Sequence, residues 1–266
     1  MTYWLAYSAL GSVAGVLAGL LGVGGGIVVV PILAFLFTAQ AMPAPVVLHL
    51  ALGTSLATIA FTSVASLRAH HRAGAVNWQV FRSVTPGILV GTLAGSWLAA
   101  QLPTRFLKGL FVAFLFAVAL QMILGARPRP ARRLPGAGGL LGVGGVIGGV
   151  SSMVGIGGGS LSVPFLVWCN VSVHDAIGTS AAIGFPIAVA GAVGYAATGA
   201  TAAGLPPHTL GFVHLPALAG VAAASVLTAP LGARLAHALP VGPLRKLFAL
   251  LLLAVGAKLL AGALGA

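Results

Sequence analysis

Four long stretches of this sequence contain no Lys, Arg, Asp or Glu: residues 1–67, 83–104, 134–174 and 176–233. An apolar stretch of about 18 or more residues can span the hydrocarbon core of a bilayer, which is about 30 Å thick. A charged side chain near the bilayer centre costs about 2.5–3.5 kcal/mol even on the mildest scale, so the exclusion has a physical cause. With 59% hydrophobic residues and a mean hydropathy of +1.11, the chain is predicted to be an all-α integral membrane protein.

The charged residues that remain argue against two other classes of function. The net charge of +12 does not indicate a nucleic-acid partner, because the basic residues lie in short segments between apolar runs, where the positive-inside rule places them. One Asp and no Glu provide no carboxylate pair for acid–base catalysis and no acidic metal cage. The single Cys169 belongs to no CxxC or Cys/His motif. We therefore expect no enzyme activity, no cofactor and no metal.

Three motifs occur twice in the same order, which indicates an internal duplication. The pairs are GVGGGIVVVP at 22–31 with GIGGGSLSVP at 155–164, Gly-Thr-Ser at 53–55 with 178–180, and a Leu-Pro segment at 102–111 with 239–248. Their offsets are 133, 125 and 137 positions. The expected domains are a first transmembrane repeat at 1–126, a basic Pro/Arg linker at 127–136 and a second transmembrane repeat at 137–266.

Each repeat is predicted to begin with a Gly-broken apolar segment, at 3–37 and at 137–170, followed by three ordinary spans. We place the spans near 46–67, 83–101 and 106–124, and near 175–197, 213–235 and 245–264. If the broken segment crosses once, each repeat has an even number of crossings and the repeats are parallel. If it turns back as a re-entrant or hairpin segment, the number is odd and the repeats are inverted.

The distribution of basic residues favours inverted repeats under the positive-inside rule. Inversion puts 10 of the 13 Lys and Arg residues on one side and 3 on the other, whereas parallel repeats would divide them 8 to 5. The larger group is Arg68, Arg72, Arg82, Arg127, Arg129, Arg132, Arg133, Arg234, Arg245 and Lys246, and the smaller is Arg105, Lys108 and Lys258. This orientation leaves both termini outside.

Three consecutive glycines occur in each repeat, at 24–26 and at 157–159, and they predict a break in the helix. Each glycine weakens a helix by about 1 kcal/mol relative to Ala. Three in a row point in all directions around a helix and cannot form one contact stripe. Other glycines have the GxxxG spacing that suits close helix packing: Gly15/Gly19, Gly91/Gly95 and Gly144/Gly148.

A helix that resumes after each break, from about Ile27 and from about Ser160, would present free N–H groups and the positive end of its dipole. Such an end binds anions. Pro31 and Pro164, early in the resumed helices, leave the carbonyls of Ile27 and Ser160 without their usual partner. Two such ends related by inverted symmetry would face each other near the membrane midplane.

These motifs resemble those of the sulfite exporter TauE/SafE family of membrane transporters. The similarity rests on residues 22–33, their second copy at 155–166 and the two Gly-Thr-Ser triplets, and it extends over essentially the whole chain. The resemblance implies transport of a small anion, such as sulfite, sulfoacetate, thiosulfate or a related organosulfur or carboxylate anion, across a bacterial inner membrane. Ile27 stands where the second copy has Ser160, so the two half-sites differ in polarity.

The candidate substrate-binding residues come from the two breaks and the two triplets. They are Gly24, Gly25, Gly26, Ile27, Thr54, Ser55, Gly157, Gly158, Gly159, Ser160, Thr179 and Ser180. The hydroxyl groups of the triplets can donate hydrogen bonds to an oxyanion. They can equally bond back to the carbonyl four residues earlier in the same helix, so both interpretations stay open.

Three further residues are candidates for proton coupling: His49, His174 and Asp175. Histidine titrates near neutral pH, and an intramembrane carboxylate is a functional hypothesis by default. Each has a structural alternative. The histidines lie near the expected starts of spans, where interfacial placement suffices, and Asp175 lies at an expected first helical turn, where a carboxylate is stabilised by the helix dipole.

We interpret the chain as a transporter that works by alternating access, with the anion bound at the paired Gly-rich breaks. A passive anion channel would use the same backbone donors and is the alternative; a membrane-embedded enzyme is disfavoured by the missing carboxylates. The expected partners are a small anion, the lipid bilayer and, as an open possibility, a second copy in a homodimer. The sequence does not determine whether the anion is exported or taken up.

The charge distribution predicts that both termini are periplasmic. Alkaline phosphatase fused after Ala266 should be active in cells, because that enzyme requires the oxidising periplasm. A cytoplasm-only fluorescent reporter at the same position should stay dark, and its fluorescence would rule out inverted repeats with periplasmic termini.

Overall fold

A computed structural model describes residues 2–21, 25–124, 132–238 and 241–264 of the chain, and these residues form ten helices and one short hairpin. The helices are α1 (Thr2–Leu21), α2 (Gly26–Ala39), α3 (Ala44–Arg72), α4 (Trp78–Gln101), α5 (Thr104–Ile123), α6 (Ala137–Val154), α7 (Gly159–Trp168), α8 (Val173–Gly199), α9 (Leu215–Ala238) and α10 (Val241–Leu264). The strands β1 (Thr209–Leu210) and β2 (Val213–His214) pair antiparallel between α8 and α9.

The prediction of an all-α membrane protein is confirmed. Among the described residues, six helices are long and apolar enough to cross a bilayer: α3, α4, α5, α6, α8 and residues 215–232 of α9. The structure extends α3 to Arg72, so Arg68 and Arg72 lie on its last turns and not in the following loop. The first residue that favours a turn is Gly74, whose φ of 70° suits glycine.

Local sequence explains where several helices begin. Pro43 and Pro103 immediately precede α3 and α5, where a missing N–H and a fixed φ do no harm. The side chain of Asn77 accepts a hydrogen bond from the amide of Val80 at the start of α4. Each of these boundaries lies within a few residues of the span expected from hydropathy.

The two halves of the chain exchange their packing partners. The first helix of each half packs along the fourth helix of the other half, so α1 lies against α9 and α6 lies against α4. The third helices, α3 and α8, pack against each other, as do the fifth helices, α5 and α10. If each helix is replaced by its counterpart in the other half, the same set of contacts results. This is the pattern expected of two halves related by a pseudo-twofold axis.

Glycines allow the helices of two of these pairs, α1 with α9 and α4 with α6, to approach closely. Four of them lie directly against a carbonyl oxygen of the partner helix: Gly11 at Val221, Gly15 at Ser225, Gly144 at Val84 and Gly148 at Ile88. The equivalent glycines are 133 positions apart and the equivalent carbonyls 137, the same offsets as the repeated motifs. Because residue numbers rise together along each pair, α1 runs parallel to α9, and α4 runs parallel to α6.

The central helices α3 and α8 run antiparallel. Gly53 lies against Tyr195, Leu56 against Gly191 and, at the far end, Ala75 against Gly178. These two helices are the most buried of the six candidate spans. They form the centre around which the other helices are arranged.

Two glycine-to-alanine substitutions should distinguish the effect of helix packing on stability from the effect of helix propensity. A Cβ atom at Gly91 would collide with the carbonyl oxygen of Gly145, and no side-chain rotation relieves that contact. Gly91→Ala should therefore destabilise the protein by about 1–3 kcal/mol. Gly109→Ala, on α5, is the matched control, because a Cβ atom there meets nothing within 4 Å and alanine favours the helix by up to about 1 kcal/mol.

Thermal unfolding in one detergent measures both variants. We expect a lower melting temperature for Gly91→Ala and an unchanged or higher one for Gly109→Ala. Equal melting temperatures would mean that the contact between α4 and α6 is not tight.

Candidate functional site

The helix is interrupted at the glycine run of the second half. Gly155 ends α6 with φ 73°, and Gly158 precedes α7 with φ 77°. In the first half Gly25 precedes α2 with φ 69°. These left-handed conformations favour glycine, which explains the residue type at all three positions. The candidate residue Gly24, with residues 22 and 23, lies outside the described part of the chain.

The two breaks meet inside the protein. A Cβ atom on Gly26 would lie 2.7 Å from the carbonyl oxygen of Gly155, so the start of α2 touches the second break directly. Gly157 lies beside Ile59 of α3 and Gly184 of α8, near the middle of both central helices. Residues 154–159 are all buried, so this conformation is closed around the second break.

The two resumed helices begin in the same register. Each makes its first hydrogen bonds to the carbonyl of the glycine before it: Val28 and Val29 donate to Gly25, and Leu161 and Ser162 donate to Gly158. The amides that precede these donors have no intrahelical acceptor: Gly26 and Ile27 in α2, and Gly159 and Ser160 in α7. Both helix starts therefore present free N–H groups and a positive dipole end to the centre of the protein.

The threonines of the two triplets connect different parts of the chain. Thr54 Oγ1 accepts a hydrogen bond from the backbone N–H of His214 at 2.9 Å, and Thr179 Oγ1 accepts one from that of Asn77 at 2.9 Å. Asn77 and His214 immediately precede α4 and α9 and are 137 positions apart. The threonines thus hold the entry of each fourth helix against a third helix, and their hydroxyl oxygens do not bond back along their own helix.

The glycines of the triplets serve the same contact. The carbonyl oxygen of Phe212 approaches Gly53, and that of Ala75 approaches Gly178, so closely that a Cβ atom would collide with it. The Gly-Thr pair therefore docks a backbone segment in both halves. This structural role accounts for the repetition of the motif without a ligand.

The triplet serines bind the second break. Ser55 Oγ donates to the carbonyl oxygen of Gly155 at 2.9 Å. Ser180 Oγ lies 2.6 Å from Ser162 Oγ, which in turn donates to the carbonyl oxygen of Gly158 at 2.9 Å. Ser55 thus provides a donor for the carbonyl of Gly155 at the break. Ser162 and Ser180 add side-chain hydrogen bonds to the first turn of α7, where the Gly158 carbonyl already accepts from the Leu161 and Ser162 amides.

Three buried hydroxyl groups near the second break have no hydrogen-bond partner within the described residues: those of Ser151, Ser160 and Thr92. Ser151 Oγ lies 3.5 Å from the position that a Cβ atom on Gly158 would take, so it faces the start of α7. Thr92 lies on α4 against Gly148 of α6. Such groups are uncommon in native proteins and mark a site that needs an explanation.

Sequence reasoning found Ser160 but missed Ser151 and Thr92. Neither belongs to a repeated motif, because Ala18 and Ala229 stand at the equivalent positions of the other half. A usable signal was the serine pair 151–152, which directly precedes the break in a helix otherwise made of glycine and apolar residues.

The proton-coupling candidates do not lie at the breaks. His49 is buried on the second turn of α3, with Nε2 3.1 Å from the carbonyl oxygen of Ala99. It precedes Ser55, which contacts the second break, by six residues, or about 9 Å of helix. His174 is 69% exposed, and interfacial placement accounts for it.

Asp175 supports the N-terminal cap of α8, in which Ser172 is the capping residue. Ser172 Oγ donates to Asp175 Oδ2 at 2.8 Å and accepts a hydrogen bond from the Asp175 amide at 3.1 Å. This reciprocal pair resembles a capping box at the start of α8. The side chain is 46% exposed, as a surface cap allows.

Comparisons with known proteins agree with this architecture. A family profile described as "Sulfite exporter TauE/SafE" matches residues 7–259. A "Probable membrane transporter protein" of Haemophilus influenzae is 35% identical over 256 residues, which cover 96% of this chain and 97% of that protein. A protein of the same description from Methanocaldococcus jannaschii is 32% identical over 70% of each chain, and "Probable membrane transporter protein YdhB" of Bacillus subtilis is 28% identical over 85% of this chain and 87% of its own. No solved structure matches the chain.

The two threonine contacts should contribute to stability. Thr54→Val leaves the buried N–H of His214 without its acceptor, at a cost of about 1–3 kcal/mol. Thr179→Val does the same to the partly buried N–H of Asn77, and its cost should be smaller. Thr58→Val is the matched control, because Thr58 Oγ1 donates to the carbonyl of Thr54 within the same helix and its loss strands no donor. Thermal unfolding of the purified variants should show lower melting temperatures for the first two alone. A similar drop in the control would contradict the assignment.

Proposed function

The chain belongs to the sulfite exporter TauE/SafE family of membrane transporters, and from this we propose that it carries small sulfur-containing or related organic anions of the sulfite, sulfoacetate and thiosulfate class. It is a multi-pass membrane protein with a small-molecule substrate and a lipid environment. Its location in a bacterial inner membrane and its operation by alternating access are part of the proposal.

The start of α7 carries this proposal. Two amides, at Gly159 and Ser160, and two buried hydroxyl groups, on Ser151 and Ser160, adjoin the same break and have no hydrogen-bond partner among the residues that the structure describes. An unpartnered buried hydroxyl group costs about 1–3 kcal/mol, and an oxyanion would accept hydrogen bonds from all of these groups. The positive end of the α7 dipole favours negative charge at the same place.

The proposed site is asymmetric. In the first half, Ala18 and Ile27 replace the two serines, so the α2 start offers amides without hydroxyl groups. The anion would therefore bind beside the second break, with the α2 start as its neighbour. The single acidic side chain, Asp175, is 46% exposed at the start of α8, where it accepts a hydrogen bond from the Ser172 hydroxyl group, so it does not line this buried site.

Helix directions support inverted repeats. The equivalent helices α3 and α8 run antiparallel, which is the relation that inversion produces and parallel repeats do not. α1 runs parallel to α9, and α9 runs in the direction opposite to α8. Because α3 also runs opposite to α8, α1 and α3 point the same way. The intervening α2 then brings the chain back, as a hairpin segment would. Inverted repeats with interrupted helices near the midplane are a common design for alternating access.

The threonine contacts are candidates for the gates. Because α3 and α8 are antiparallel, the contacts Thr54–His214 and Thr179–Asn77 lie on opposite sides of the closed centre. Opening towards one side would separate the start of α9 from α3, and opening towards the other would separate the start of α4 from α8. The repeated geometry makes the two movements equivalent.

The glycines are poor probes of this site, because any side chain at Gly158 would be strained and would collide with Ile187. Serine variants are sharper. Ser151→Ala and Ser160→Ala remove hydroxyl groups that make no hydrogen bond within the described residues, so folding should be unimpaired. Each should weaken anion binding by about tenfold or more, as the loss of a hydrogen bond to a charged group predicts. Ser152→Ala is the matched control, since its hydroxyl group donates to Gly149 of its own helix.

Calorimetric titration of the purified proteins with sulfite and sulfoacetate measures these affinities. Undiminished affinity in both test variants would place the site elsewhere. Counter-exchange of labelled anion in liposomes separates the carrier from the channel: flux accelerated by anion on the opposite side supports alternating access, and flux indifferent to it supports a channel.

A further inference from the structure

A cavity of about 280 Å³ lies between α2, α3, α5 and α10, away from the two breaks. Its wall is mostly apolar and includes two aromatic residues, Phe35 and Phe111. Two cations, Lys108 of α5 and Lys258 of α10, also line it. An apolar cavity that contains two lysines calls for a ligand with both an anionic and an apolar part.

In the described part of the chain the two lysines have no carboxylate partner. The chain contains one acidic side chain, Asp175, and α8, which carries it, does not line the cavity. Lys258 Nζ lies 4.5 Å from the centre of the Phe35 ring, a cation–π contact that leaves its positive charge uncompensated. The hydroxyl groups of the two threonines in the wall already donate hydrogen bonds, Thr38 to the carbonyl oxygen of Ala34 and Thr104 to that of Pro45. The ammonium groups are therefore the polar groups available to a ligand.

The position of the lysines along their helices indicates their depth. Lys108 follows the start of α5 by four residues and Lys258 precedes the end of α10 by six, or about 6 and 9 Å of helix. Met42, in the short connection between α2 and α3, lines the same end of the cavity. The cations thus lie near one membrane surface, at the level where lipid phosphates lie, and the apolar wall continues towards the hydrocarbon.

We propose that this cavity binds an anionic phospholipid, with the phosphate between Lys108 and Lys258 and an acyl chain along Phe35 and Phe111. Basic pockets between transmembrane helices are suited to lipid headgroups. The volume accommodates a headgroup and the first part of an acyl chain. A small hydrophilic anion would leave most of the apolar wall uncovered, which favours the lipid.

The test compares phosphatidylglycerol with phosphatidylcholine as probes. Native mass spectrometry of the full-length protein in detergent gives the apparent affinity for each lipid. We expect the wild type to prefer phosphatidylglycerol, and Lys108→Gln and Lys258→Gln each to weaken its binding by about fivefold, the factor expected for one lysine at a membrane surface. Arg105→Gln is the matched control, because Arg105 is exposed on the first turn of α5 and does not line the cavity.

Two results would overturn the proposal. An equal loss in Arg105→Gln would show a general surface attraction in place of a built site. Competition by glycerol 3-phosphate as strong as that of the whole lipid would show that a soluble anion is the ligand. Lys108→Arg keeps the charge and should retain most of the preference, which distinguishes lost binding from damaged folding. Sulfite binding, measured on the same variants, should not change, because the cavity is separate from the breaks.

Discussion

Within a bilayer every backbone N–H and C=O group must find a partner in the protein, because the hydrocarbon offers none. An interrupted helix violates that condition unless the interruption is covered. Here the second break is enclosed by α3 and α8, the hydroxyl group of Ser55 donates to the carbonyl of Gly155, and the carbonyl of Gly158 accepts the first backbone hydrogen bonds of α7. The need to cover the breaks explains why α3 and α8 are the most buried candidate spans. The other helices surround this central pair.

The exchange of partners between the halves follows from small residues. Glycine on α1 and α6 lets each pack directly on the backbone of the other half's fourth helix, where van der Waals contact replaces the hydrophobic drive that lipid removes. Because equivalent contacts recur at the offsets of the repeated motifs, one duplicated interface accounts for both pairs. The result is a scaffold whose two halves hold each other, and neither half buries its own glycine faces alone.

The proposed function depends on where this symmetry fails. The scaffold repeats, yet Ser151 and Ser160 of the second half correspond to Ala18 and Ile27 of the first. A pair of equivalent helix starts can rearrange in equivalent ways, whereas a single polar half-site defines one place for an anion. The two properties are compatible. Symmetry of the helices that move comes from backbone contacts, which repeat in both halves. Asymmetry of the binding groups comes from a few side chains, which differ between the halves.

Much of the protein could be predicted from the sequence because the relevant costs are local. Burying a charge and placing three glycines in a helix carry penalties that depend on a short window, so the spans, the duplication and the restart of helices at Gly26 and Gly159 followed from residue order. The glycine pairs on α4 and α6 were likewise recognised as packing sites from their spacing.

The tertiary structure alone decided which groups meet. Thr54 binds a residue 160 positions away, and Ser55 one 100 positions away, so their partners could not be read from neighbouring sequence. Whether Ser151 would have a partner was decided in the same way, because a hydrogen bond depends on an atom within about 3.5 Å and the sequence does not specify such distances.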